Sequence, residues 1–239
     1  MSEQQAVTEM FNGISSRYDL LNHLLSFGID RRWRRKTSKM VAKQQPQTIL
    51  DVATGTADLA IRLAKDNPSA KITGIDLSEK MLEIGNQKIL KKKLSQHIHF
   101  LAADATNIPF ADNTFDAVTV AFGVRNFANR EAGLREMVRV CRNGGTVAVL
   151  EFSHPKSPFI ATPYRWYSKA ILPRLGRLIS KHPTAYHYLP ASVAAFPESE
   201  VFAATLQSAG LRQVEAKPFS GGIATMYYGI VAKSGEKAQ

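Results

Sequence analysis

Between residues 46 and 152 short apolar runs alternate with amphipathic stretches, and little but a parallel α/β sheet satisfies that rhythm. Thr48–Ala53 is a buried strand running into a turn at Thr54-Gly55. Leu59, Ile61, Leu63 and Ala64 follow on a helix that stops near Asn67-Pro68. Lys71–Asp76 is a second strand, and Ser78 starts a helix with Met81, Leu82, Gly85 and Ile89 on one face. His97–Asp104 and Phe115–Phe122 are the third and fourth strands. Asn129 opens a helix carrying Leu134, Met137, Val138 and Cys141, and after the Asn143-Gly144-Gly145 turn comes a fifth strand, Thr146–Phe152.

Strands separated by helices run parallel, so these units wind a sheet on both faces. The rhythm then breaks, with Pro155, Pro158, Pro163, Pro173, Pro183, Pro190 and Pro197. It resumes as a helix over Ser199–Ala209 and strands over Gln213–Phe219 and Ile223–Lys233, whose Ser220-Gly221-Gly222 link predicts an antiparallel hairpin.

Composition narrows the class. Hydrophobic residues are 44% and charged residues 21% of 239, the balance of a folded globular chain. One cysteine, Cys141, excludes a disulfide framework, and it reads as a core residue. Met1–Met10 is polar and no run of some twenty apolar residues exists, so the expected location is cytoplasmic, at most on a membrane surface. The net charge of +11 is uneven: segment 152–190 has 6 basic residues and no acid, and segment 1–45 has 8 against 4. Such a surface suits anionic lipid, nucleic acid or plain solvation.

Open parallel sheets bind ligands beyond the carboxyl ends of their strands. The first strand leads into Asp51-Val52-Ala53-Thr54-Gly55-Thr56-Ala57-Asp58, a turn with one glycine. A dinucleotide pyrophosphate calls for G-x-G-x-x-G, so a cofactor without phosphates fits better. Asp76 closes the second strand, where a carboxylate accepts both hydroxyls of a ribose; the alternative is a helix N-terminal acid before Ser78. Asp104-Ala105 closes the third and could hydrogen-bond the amino group of an adenine; the alternative is an acid with no ligand role.

Three acid-ended strands with this turn resemble the class I S-adenosylmethionine-dependent methyltransferases. The resemblance implies a Rossmann-like, seven-stranded doubly wound sheet with a C-terminal antiparallel hairpin. It implies that Asp51, Gly55 and Thr56 face the amino-acid part of the cofactor, Asp76 the ribose, and Asp104 and Ala105 the adenine. Asn143-Gly144-Gly145 is similar to that family's Pro-Gly-Gly. Further strings, Met10-Phe11-Asn12-Gly13-Ile14, Arg17-Tyr18-Asp19-Leu20-Leu21-Asn22, Leu25–Asp30 with Arg31-Arg32-Trp33-Arg34, and Phe122-Gly123-Val124-Arg125-Asn126, resemble the ubiquinone/menaquinone biosynthesis C-methyltransferases. That likeness runs from about Val7 to Lys233 and departs at Tyr227, where the family often has histidine.

The resemblance implies methyl transfer from S-adenosylmethionine to a ring carbon of a polyprenylated quinol, demethylmenaquinol ahead of the ubiquinone precursor, with no metal. Arg125 would stabilise the quinolate or orient a water acting as base, and Asn126 would hold that water or a ring oxygen. Asp58 and His154 are secondary base candidates. The plain alternative for Arg125 is an ion pair capping the helix from Asn129. The expected organisation is one domain over 1–239. Within it, 1–45 is a helical extension, 46–152 the cofactor core, 153–197 a substrate lid and 198–233 the closing helix and hairpin.

Phe159, Tyr164, Trp166, Tyr167, Ile171 and Leu172, interleaved with Arg165, Lys169, Arg174 and Arg177, suit an anionic headgroup layer, with Arg31, Arg32, Arg34, Arg35 and Lys36 around Trp33 assisting. The alternatives are a lid on its own domain or a homodimer contact. A nucleic-acid methyltransferase is disfavoured, because Val124-Arg125-Asn126-Phe127 stands where base-amino enzymes carry Asn/Asp-Pro-Pro-aromatic. A non-catalytic cofactor-binding module is the remaining class.

Overall fold

The computed structural model describes residues 9, 12, 13, 15, 26, 28–155, 157–166 and 191–233. Helix α1 (Asp30–Ala42) precedes β1 (Thr48–Val52), α2 (Asp58–Asp66), β2 (Lys71–Asp76), α3 (Glu79–Lys91), β3 (Ile98–Ala102) and β4 (Phe115–Ala121). After a 3-10 turn (Val124–Asn126) come α4 (Arg130–Val140), β5 (Cys141–Phe152), α5 (Pro158–Trp166), α6 (Ser199–Ser208), β6 (Leu211–Phe219) and β7 (Ala224–Val231). The seven strands stand in the order β3-β2-β1-β4-β5-β7-β6. β1 through β5 pair in parallel, whereas β7 runs antiparallel to both β5 and β6.

Alternation along β1 shows why the sheet is wound on both faces. Ile49 joins Leu63, Ile72, Ile98 and Ala148 in one apolar cluster, while Leu50 and Val52 join Val118, Met137, Phe202 and Tyr227 in another. Both clusters are closed to water, as a parallel sheet between helices requires. Ser78 and Asn129 cap α3 and α4 as their residue types predict, accepting from the backbone N–H of Met81 and Ala132.

A third apolar cluster fastens α1 to the carboxyl end of the sheet: Trp33 lies with Phe122, Leu150, Phe152, Phe219 and Met226. Its indole donates to the Ser220 hydroxyl at 3.0 Å, in the link between β6 and β7. The basic run of α1 is thereby split. Arg31, Arg32, Arg35 and Lys36 are exposed, but Arg34 is buried and does not belong to the basic surface expected of it.

One strand boundary differs from expectation by more than two residues. β5 starts at Cys141, five residues early, because the Gly144 turn (φ 73°) is absorbed into a strand whose pairing with β4 shifts register there. Cys141 therefore begins a strand rather than lying on α4; it is fully buried, as a core residue, and burial pushes its thiol up to about 12. The proline-rich stretch holds the short helix α5, with Phe159 91% and Trp166 64% exposed. Tyr167, Lys169, Ile171, Leu172, Arg174 and Arg177 lie outside the described residues. Among the described residues no helix is long and apolar enough to cross a membrane.

Candidate active site

Strand order reverses between β1 and β4, and a cleft opens there. Arg34, Asp51, Ala53, Thr54, Gly55, Thr56, Asp58, Leu59 and Ala121 line it. The backbone on both sides is held in unusual conformations. Ala53, Gly55 and Ala57 have φ of 50°, 56° and 70°, and Phe122, just past β4, has 61°. For a residue with a Cβ the left-handed region costs on the order of 1 kcal/mol. Such outliers gather where a loop must present atoms rather than relax. A Cβ at Gly123 would lie 2.6 Å from that of Ala53, so glycine lets the loops after β1 and β4 touch.

Asp51 is buried at the carboxyl end of β1, and its two oxygens accept from the hydroxyls of Thr54 at 2.7 Å and Thr119 at 2.8 Å. Removal from water dominates and raises its pKa to about 6, against those hydroxyls and the nearby charge of Arg34. Asp76 accepts from the N–H of Gly55 at 2.8 Å and of Ser78 at 2.9 Å. It keeps some exposed surface, yet its surroundings are dense enough that desolvation raises its pKa despite those bonds. Asp76 thus fixes the glycine turn and the entry to α3, and its carboxylate has lone pairs to spare.

Asp104 accepts from the N–H of Thr106 at 2.8 Å, and Ala105 is buried beside it at the end of β3. Asn12 takes a 2.6 Å hydrogen bond from the Ser78 hydroxyl, so a residue of the N-terminal extension reaches the β2 end of the site. The expected cofactor residues therefore lie along one edge, at the ends of adjacent strands β3, β2 and β1. Replacing Asp76 by alanine releases Gly55 and, on the expectation that this carboxylate accepts the ribose hydroxyls, removes their acceptor. Affinity for an adenosine-containing cofactor is expected to fall on the order of 100-fold by titration calorimetry, two charge-assisted bonds being lost.

Beyond β4 the arrangement is different. Arg125, in the turn after Gly123, is buried and forms a 2.6 Å ion pair with Glu151 of β5. Its Nη1 also donates to the Phe122 carbonyl at 2.6 Å, its guanidinium lies 5.5 Å from the Phe152 ring centre, and its backbone N–H donates to Glu151 at 3.3 Å. Sequence reasoning missed Glu151. Arg125 does make an acid pair, but with a strand and not with the helix from Asn129. Asn126 is half-buried next to it.

The secondary base candidates are occupied. Asp58 is paired with Lys88 at 2.8 Å, and His154 Nε2 lies 3.1 Å from the Phe196 carbonyl. Tyr227 is fully buried on β7 against Phe202, with its hydroxyl on Ser199 at 3.0 Å. Among the described residues no cluster of three or more His, Cys, Asp or Glu is placed to hold a metal.

Comparison with known proteins fits this geometry to a family, since the model of the ubiE/COQ5 methyltransferase family matches residues 1–231. The chain belongs to the ubiE/COQ5 methyltransferase family. It is 45% identical over 229 residues to the "Demethylmenaquinone methyltransferase" of Porphyromonas gingivalis, covering 95% of this chain and 94% of that one. It is also 45% identical over 226 residues to the "Ubiquinone/menaquinone biosynthesis C-methyltransferase UbiE" of Geotalea daltonii, covering 94% and 96%. Among solved structures, a SAM-dependent methyltransferase from Aquifex aeolicus superposes with a TM-score of 0.58 at 20% identity, over 82% of this chain and 89% of that one. At that identity the likeness speaks for the fold, and the family membership carries the chemistry.

Proposed function

We propose that this family member transfers a methyl group from S-adenosylmethionine to a ring carbon of demethylmenaquinol. Full-length similarity to a relative of that name, joined to the cleft at the β1–β4 reversal, carries the reading. The Geotalea relative's name adds the ubiquinone precursor as the second substrate to test.

The residues present fit the cofactor. Asp104 and Ala105 suit its adenine, Asp76 its ribose, and Asp51, Gly55 and Thr56 its amino-acid end; the single-glycine turn has no phosphate to hold. When bound, the cofactor supplies an electrophilic methyl. The chain's part is to align the acceptor ring and hold charge on its oxygen, since displacement demands collinear carbon, methyl and sulfur. Asn126 would take a ring oxygen or a water, and Arg125 would stabilise the quinolate from beneath the same turn, fixed by Glu151.

A polyprenyl tail keeps the substrate in the bilayer, so the enzyme is expected to work at an anionic membrane surface. Exposed Phe159 and Trp166 of α5, together with the basic face of α1, support that placement. Residues 153–197 are read as the lid over the quinol head, with 1–45 covering the cofactor core of 46–152.

The test is methyl transfer from labelled S-adenosylmethionine, with demethylmenaquinol in anionic vesicles beside the demethylated ubiquinone precursor and bulk RNA. Label in the naphthoquinol is the expected result. Label in the benzoquinol alone would reassign the substrate, and label only in RNA would overturn the quinol reading.

A further inference from the structure

The cleft at the β1–β4 reversal holds two buried groups of opposite charge, Asp51 on the sheet and Arg34 on α1. A third charged lining residue, Asp58, is already paired with Lys88. Arg34 is held firmly. Its Nη1 forms an ion pair with buried Asp30, Asp30 is fixed by the Ser26 hydroxyl at 2.7 Å, and the guanidinium sits 5.0 Å from the centre of the Phe122 ring. The neighbouring Trp33, packed on Phe122 and Phe152, seats the helix that delivers it.

The side chain is therefore oriented without being used up, because a guanidinium carries five N–H donors in a rigid fork suited to carboxylates. Asp30 supplies the pairing that a buried cation requires, and the same side chain also lines the cleft.

Strand order indicates what Arg34 would meet there. Neighbouring strands stand about 4.8 Å apart. With adenine at β3 and ribose at β2, the far end of the cofactor reaches β1 and its seam with β4, where Arg34, Asp51 and Ala121 meet. That end is an α-amino acid, an ammonium and a carboxylate on one carbon.

We infer that Arg34 receives the carboxylate of the cofactor's amino-acid moiety while Asp51 receives its ammonium. The inference rests on the cofactor reading of this cleft and adds a residue of the N-terminal helix to it. It makes α1 a wall of the site, not only a cover.

Titration calorimetry against a ligand series tests it. Wild-type protein is expected to bind S-adenosylmethionine roughly 10- to 100-fold more tightly than decarboxylated S-adenosylmethionine, which keeps sulfonium and ammonium and lacks only the carboxylate. Arg34→Gln, made also in an Asp30→Asn background to control for loss of the buried ion pair, should erase that preference. It should lower affinity for S-adenosylmethionine by the same factor and leave the decarboxylated analogue within about twofold. Equal affinities in the wild type, or an equal loss for both ligands in the variant, would overturn the assignment; the second result would make Arg34 merely structural. The wild-type comparison stands even if a variant fails to fold. Asp76→Ala, which should weaken both ligands alike, separates failure of this assignment from failure of the cofactor reading itself.

Discussion

Arg125→Ala is expected to lose turnover by 100-fold or more while cofactor affinity changes less than about threefold, and also to unfold far more readily. The two losses have different origins. Glu151 is completely buried on a central strand, with Oε1 accepting from Arg125 and from the N–H of Phe152. Removing the guanidinium strands a carboxylate in the core, which costs about 3–5 kcal/mol. For a chain of this size that is a fall of roughly 10 °C in Tm.

The double variant Arg125→Met/Glu151→Met separates them, because an apolar pair of similar volume is often as stable as a buried ion pair. Calorimetry should show stability restored, and single-turnover methyl transfer should remain lost. Recovery of turnover together with Tm would make the pair a structural strut and leave the acceptor chemistry to Asn126.

The pair also shows what a sequence withholds. The strands and caps of the nucleotide half were legible because each signal is local: apolar runs of strand length, Ser78 and Asn129 at helix starts, and acids placed where strands end. Glu151 was not legible, because Thr146–Phe152 reads as a uniform apolar strand, and its one acid gains meaning only when β4 brings Arg125 beside it. The usable signal was that a carboxylate inside a buried strand must have a partner. Arg34 was hidden differently, inside a run of basic residues. The helical period separates it, since Asp30, Trp33, Arg34, Thr37, Ser38 and Val41 share the buried face and Asp30–Arg34 stand four residues apart. The sequence reads Cys141 as part of α4 because apolar periodicity alone cannot distinguish the last helical residue from the first of a strand. The insertion of β7 between β5 and β6 is a matter of tertiary pairing, for which a hairpin sequence holds no sign.

Asp51→Asn is expected to make the ligand-free protein more stable and the enzyme worse. Burial holds this carboxyl near 6 against an ordinary 3.8, so the folded chain binds a proton that the unfolded chain has released between those values. Its contribution to stability therefore falls as pH rises from about 4 to 6 and stays lost at neutral pH, by on the order of 3 kcal/mol. Asparagine carries no such penalty, and both partners of Asp51 are threonine hydroxyls that can turn from donor to acceptor. At pH 7.5 a Tm higher by roughly 5–10 °C is expected in thermal denaturation, shrinking toward zero by pH 4. A Tm unchanged at every pH would mean that Asp51 is not desolvated in the free protein. The same charge is what a ligand ammonium would meet, so affinity for S-adenosylmethionine should drop at least tenfold in the variant. In the wild type, binding near pH 6 should release a proton, visible as calorimetric heats that depend on buffer ionisation, and the release should vanish by pH 8. A carboxylate kept out of water at the expected loss of stability, in the same cleft as a buried arginine, fits a site preorganised for a zwitterion.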